Sequence, residues 1–226
     1  MTQVSAAQVK ALRDRTGAGM NDCRQALIEA EGSEEKAFDI IQKKGLAKAA
    51  KKAGTIATEG VIHSYIHSNK RIGVLVEVNC QTDFAARSAD FTGFAEEVAL
   101  QIASSTPLYV RRDEIPQSAK DKQLDLFRGQ LAEEEAQTGK KRPEAAVAKI
   151  LEGKLDKWCS EVCLEEQELV TREDKKTVKA VSDELTAKTG EKMSVRRFVR
   201  FELGEGIEKA AAKDFAAEVA EAVKAS

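Results

Sequence analysis

The chain has 226 residues, enough for one or two domains that each bury a core. Charged residues make up 33%, aromatics 5%, and the net charge is -2, which suits a soluble, helix-rich protein and supplies no overall electrostatic drive toward nucleic acid. No apolar run approaches the ~20 residues of a membrane span, and MTQVSAAQVK lacks the apolar centre of a signal peptide, so the sequence reads as cytoplasmic, with no membrane contact.

Ser5 and Gln8 have the spacing of a capping box, and Val9 and Leu12 share a helical face until Gly17, which predicts a helix from Ser5 to Thr16. Met20, Cys23, Leu27 and Ala30 recur at helical spacing up to Gly32. Ser33, Glu34 and Glu35 open a third helical run carrying Ala37, Phe38 and Ile41 to Gly45, and LAKAAKKAG follows as a basic helical linker. These elements define a helical module over residues 1–54.

From Gly60 the pattern turns to strands. IHSYIH and RIGVLVEVNC, with Ser68 and Asn69 between them, read as a hairpin whose second strand sets Ile72, Val74, Val76, Val78 and Cys80 on one face. Phe91, Phe94, Ala95, Val98 and Ile102 then form the apolar stripe of a helix that covers this face. Phe84, in the QTDF corner between strand and helix, falls outside that stripe. A ring there either folds back into the core or is offered to a partner.

Further along, LYV is a short strand candidate, Gln117 to Gln137 a charged helix, and Pro143 opens a helix with Val147, Ile150, Leu151, Leu155 and Trp158 along its buried side. Thr171 caps a helix bearing Val178, Val181 and Leu185. MSVRRFVRFELG is the third strand, with Val195, Val199, Phe201 and Leu203 on one face, and AAAKDFAAEVAEAV is a final helix. The fold class is therefore α+β: a small antiparallel sheet packed with helices in a core over residues 55–203, then a C-terminal helical module over 204–226.

Chemistry-bearing motifs are missing. There is no phosphate-cradling G-x-x-x-x-G-K-[ST], and the glycines of TGAGMND suit a helix-to-helix turn. Cys23, Cys80, Cys159 and Cys163 are scattered and read as reduced, packed thiols. His63 and His67 on one strand stand ~13 Å apart, too far to share one zinc ion. Neither histidine completes a nucleophile motif. The sequence thus reads as a protein that is not an enzyme and holds no cofactor, metal or nucleic acid, although the lysines at 43, 44, 48, 51 and 52 leave a small RNA-binding protein as one rival.

VKALRDRTGAGMNDCRQAL, KGLAKAAKKA, VEVNCQTDFAAR and FELGEGIEK with DFAAEVA, in that order, resemble the translation elongation factor Ts family, the exchange factors of the GTPase elongation factor Tu. The resemblance implies a ubiquitin-associated-like N-terminal module, which leaves a binder of ubiquitin-like folds as the second rival. It also implies that Thr82, Asp83, Phe84 and Ala85 act on the GTPase, the ring entering a hydrophobic gap near the switch region and disturbing the magnesium site beside GDP. The resemblance further implies that Arg13 and Met20 contact the GTPase from the N-terminal module. Ala85 stands where the family commonly has Val, and Asn21 where it has a second Met, so the apolar area offered is smaller at both contacts. Longer members carry a second core half; here either residues 117–158 replace part of it or a homodimer supplies it.

Overall fold

A computed structural model describes residues 4–52, 54–139 and 141–207. The helix expected in the last twenty residues lies outside them.

Helix α1 (Ala6–Thr16) starts at the expected capping box: the Gln8 amide donates to the Ser5 hydroxyl at 3.2 Å and the Ser5 amide to Gln8 Oε1 at 3.0 Å. Helices α2 (Met20–Glu29) and α3 (Glu34–Lys52) close a small core with it around Leu12, Cys23, Leu27 and Ala37. The predicted stop at Gly45 is absent, and LAKAAKK, residues 46–52, is the second half of α3. The reason lies across the molecule in α8 (Val178–Thr189), against which this half packs. A Cβ at Gly45 would stand 2.9 Å from the Ala187 Cβ, so Gly45 is a close-approach position that tertiary packing keeps helical.

Strands β1 (Glu59–Ile66), β2 (Ile72–Cys80) and β3 (Ser194–Glu202) form an antiparallel sheet in the order β1-β2-β3. Its turn is fixed where expected, with the Arg71 amide donating to Asn69 Oδ1 at 2.9 Å. Val74, Val76, Val78 and Cys80 are buried under α5 (Ala89–Ser105), whose Phe91, Phe94, Val98 and Ile102 complete the main core together with Val178 and Val181 of α8.

The alternation predicted for β3 holds only in part. Val78 pairs with Val195 but Glu77 pairs with Arg197, so Arg196 is an extra residue in a β-bulge. One inserted residue reverses which face the rest of a strand presents. Val195 therefore points into the core, whereas Val199 and Phe201 join Ile62, Ile66 and Leu75 on the open face of the sheet, where all are exposed.

Other corrections are local. LYV forms an isolated bridge from Tyr109 to Cys163 rather than a strand. Helices α6 (Gln117–Thr138) and α7 (Glu144–Val162) pack on each other, and Pro143 is the cap residue just before α7. Only Leu151 of the predicted α7 stripe is buried; Val147, Ile150, Leu155 and Trp158 are half-buried. The cap of α8 is Thr177, not Thr171: the Thr177 hydroxyl accepts the Ala180 amide at 3.2 Å. All four cysteines are free and buried.

Candidate partner-binding site

Residues 81–84 leave β2 and enter the short helix α4 (Asp83–Ala86). Thr82 is its N-cap, accepting the Ala85 amide at 3.3 Å. At the other end Ser88 works in both directions: its hydroxyl donates to the Ala85 carbonyl at 2.8 Å and accepts the Phe91 amide at 3.3 Å, so the end of α4 and the start of α5 share one side chain.

This frame divides the four predicted site residues into two pairs. Ala85 packs on the main core and Thr82 is half-buried. Asp83 and Phe84 face outward, and Phe84 is 82% exposed. A single exposed apolar residue is ordinary. What sets Phe84 apart is the number of fixed points around its backbone. Burial pushes the Cys80 thiol pKa up, and the protonated thiol lies 3.1 Å from the Thr82 carbonyl, to which it donates. Gln81 Oε1 accepts the Lys192 amide at 3.0 Å and Lys52 Nζ at 3.4 Å. The Thr82 hydroxyl donates to the Glu191 carboxylate, 2.9 Å from each oxygen. Asp83 pairs with Arg87 at 3.0 Å across one exposed helical turn.

The ring is thus an exposed apolar group on an immobilised corner. The supports from Glu191 and Lys192 carry no signal in the sequence, because both residues lie more than a hundred positions from the corner. No periodicity or motif links such positions.

The second predicted contact lies where α1 hands over to α2. Arg13 is exposed in the last turn of α1, and Met20, the first residue of α2, is also exposed. Between them Gly17 ends α1 with its amide on the Arg13 carbonyl at 2.7 Å.

The family model for Elongation factor TS matches residues 6–205. The chain belongs to the elongation factor Ts family. Similar full-length relatives named Elongation factor Ts come from Desulforamulus reducens, 52% identical over 225 residues and the whole of both chains, and from Carboxydothermus hydrogenoformans, 52% identical over 221 residues and 98% of each chain. A third, from Geobacter sulfurreducens, is 50% identical over 219 residues, covering 97% of this chain and 98% of its own. Family membership makes the chain a translation elongation factor. Among the described residues, no helix is long and apolar enough to cross a membrane.

Proposed function

We propose that the chain is the guanine nucleotide exchange factor of elongation factor Tu, acting by binding and without covalent chemistry of its own. It binds the GDP complex, the Phe84 ring enters an apolar gap beside the nucleotide, the magnesium site is disturbed, and GDP leaves so that GTP can bind. Arg13 and Met20 of the N-terminal module dock on the same GTPase.

The observation that carries this reading is the exposed Phe84 ring on a corner fixed by Cys80, Gln81 and Thr82. A protein that prefers the nucleotide-free GTPase weakens GDP binding by the same factor, by reciprocal linkage. Each tenfold weakening requires about 1.4 kcal/mol of differential binding. Moving an exposed aromatic ring into an apolar pocket supplies ~2 kcal/mol, so one residue accounts for a roughly thirtyfold weakening. Pre-organisation helps because little chain entropy is lost when the ring docks. The RNA-binding rival is weakened by Lys44 and Lys48, which are engaged by Glu29 at 2.6 Å and Asp22 at 2.7 Å. Release of a fluorescent GDP from elongation factor Tu tests the proposal: stimulated release supports it, and an unchanged release rate at saturating protein would reject it.

The open face of the sheet favours a further association, with a second copy of this chain. Ile62, Ile66, Leu75, Val199 and Phe201 make an exposed apolar surface whose charges, on Glu77, Arg196 and Arg197, lie toward one end. Two such faces related by a two-fold axis would stack apolar middle on apolar middle, sheet against sheet.

A further inference from the structure

We propose that Glu191 is a positioning residue for exchange: its carboxylate orients the Thr82 hydroxyl and so fixes the helix cap that presents Phe84. The inference rests on the exchange reading above and extends it to a residue outside the QTDF corner.

The argument begins with one proton. A threonine hydroxyl has a single hydrogen to donate and lone pairs with which to accept. In Thr82 the acceptor function is committed to the Ala85 amide, which is the bond that starts α4. The hydroxyl therefore caps α4 best when its hydrogen points away from that amide. Glu191 ensures this, because an ionised carboxylate only accepts, and both its oxygens lie 2.9 Å from Thr82 Oγ1. Such charge-assisted bonds are about twice as strong as neutral ones.

Glu191 is itself held by the core. It follows Gly190, the left-handed residue (φ +76°) that ends α8, and its amide donates to Thr189 Oγ1 at 3.2 Å. The next residue, Lys192, donates its amide to Gln81, the neighbour of Thr82. Met193 is buried and anchored through its amide to Thr186 Oγ1 at 3.1 Å, and β3 begins at Ser194. The turn between α8 and β3 thus clasps residues 81 and 82 side by side and ties the corner to both core elements. Removing the carboxylate frees the Thr82 hydroxyl to turn and loosens the first turn of α4, while leaving the ring of Phe84 chemically intact.

The test is stopped-flow release of fluorescent GDP from elongation factor Tu by the full-length chain, as a function of its concentration. Glu191→Ala should slow release at saturation about tenfold, which corresponds to about 1.4 kcal/mol, with the half-saturating concentration changed less than about twofold. Glu191→Gln, whose amide oxygen still accepts from Thr82, should retain most of the wild-type rate, and Thr82→Val should resemble Glu191→Ala. In a Phe84→Ala background, Glu191→Ala should add less than about a twofold effect. Urea unfolding followed through Trp158 confirms that each variant is folded, and Glu191→Gln with Thr82→Val carry the test if Glu191→Ala is not. A wild-type rate in Glu191→Ala or in Thr82→Val overturns the proposal, as does an undiminished effect in the Phe84→Ala background. If Phe84→Ala itself exchanges at the wild-type rate, the role of the ring fails and the proposal falls with it. If Phe84→Ala is slow while Glu191→Ala is normal, the positioning role alone falls.

Discussion

Gly45 of α3 and Ala187 of α8 touch where neither has room to spare: a Cβ on Gly45 would stand 2.9 Å from that of Ala187. Gly45→Ala should therefore destabilise the protein, although alanine is the better helix former. Overpacking costs about 1–3 kcal/mol and the propensity gain returns about 1 kcal/mol, so a net loss of about 1 kcal/mol is expected in urea unfolding. Gly153 of α7 has no heavy atom within 4 Å of such a Cβ, and Gly153→Ala should be stabilising by about 1 kcal/mol. Equal effects from the two substitutions would mean that the α3–α8 contact is looser than described.

Phe84→Ala separates packing from partner binding. With the ring exposed, stability should change by no more than about 0.5 kcal/mol, whereas stimulated GDP release should slow roughly tenfold to a hundredfold, equivalent to ~1.4 to 2.7 kcal/mol. Urea unfolding through Trp158 and stopped-flow release measure the two quantities on the same sample. A stability loss of about 3 kcal/mol or more, of the size a core phenylalanine gives, with unchanged exchange would show the ring to be structural.

Leu75→Asp places a charge in the middle of the open sheet face, on the central strand between Ser64 and Val199. Light scattering should give twice the chain mass for the wild type and the single-chain mass for the variant, with far-UV circular dichroism unchanged. A wild-type protein that is monomeric at high micromolar concentration would refute self-association through this face.

Glu77 carries an acid-sensitive part of the stability. Its carboxyl is held below the usual carboxylate range, chiefly by the hydrogen bond from Arg197, with Asn79 and Arg196 assisting against burial. Because the folded-state value is depressed, the contribution is present above the unfolded carboxylate's pKa and is lost as pH falls through the lower folded value. The stability gap between wild type and Glu77→Gln should therefore narrow progressively with acidification below the ordinary glutamate range. A gap independent of pH there would assign the effect to shape rather than charge.

The sequence made most elements readable because their patterns are local. The capping box at Ser5, the period-two run from Val74 to Cys80 and the stripe from Phe91 to Ile102 each declare themselves within a short window. What escaped depends on partners far along the chain. Gly45 resembles a stop until α8 is laid against it, and Val199 shares a face with Val195 until the bulge at Arg196 is seen. The Phe84 corner was found through its motif and its absence from the neighbouring stripe. Its supports on Glu191 and Lys192 had no local signal, since a hydroxyl-to-carboxylate bond imposes no periodicity.

The arrangement of the sheet also dictates an order of events on the ribosome. Helices α1 to α3 enclose Leu12, Cys23, Leu27 and Ala37 from the first 45 residues, so this core can close while the chain is short. The hairpin of β1 and β2 emerges next, with β2 an unpaired edge until β3 arrives more than a hundred residues later. Chain growth at ~5–20 residues per second leaves that edge open for roughly 6 to 23 seconds. The α5 helix follows the hairpin immediately and shields the apolar side of β2 in the interval, so what stays unpaired is backbone alone. Release of α8 and β3 then closes the edge, seats α3 and clamps residues 81 and 82 together, making the Phe84 corner one of the last parts of the molecule to take its shape.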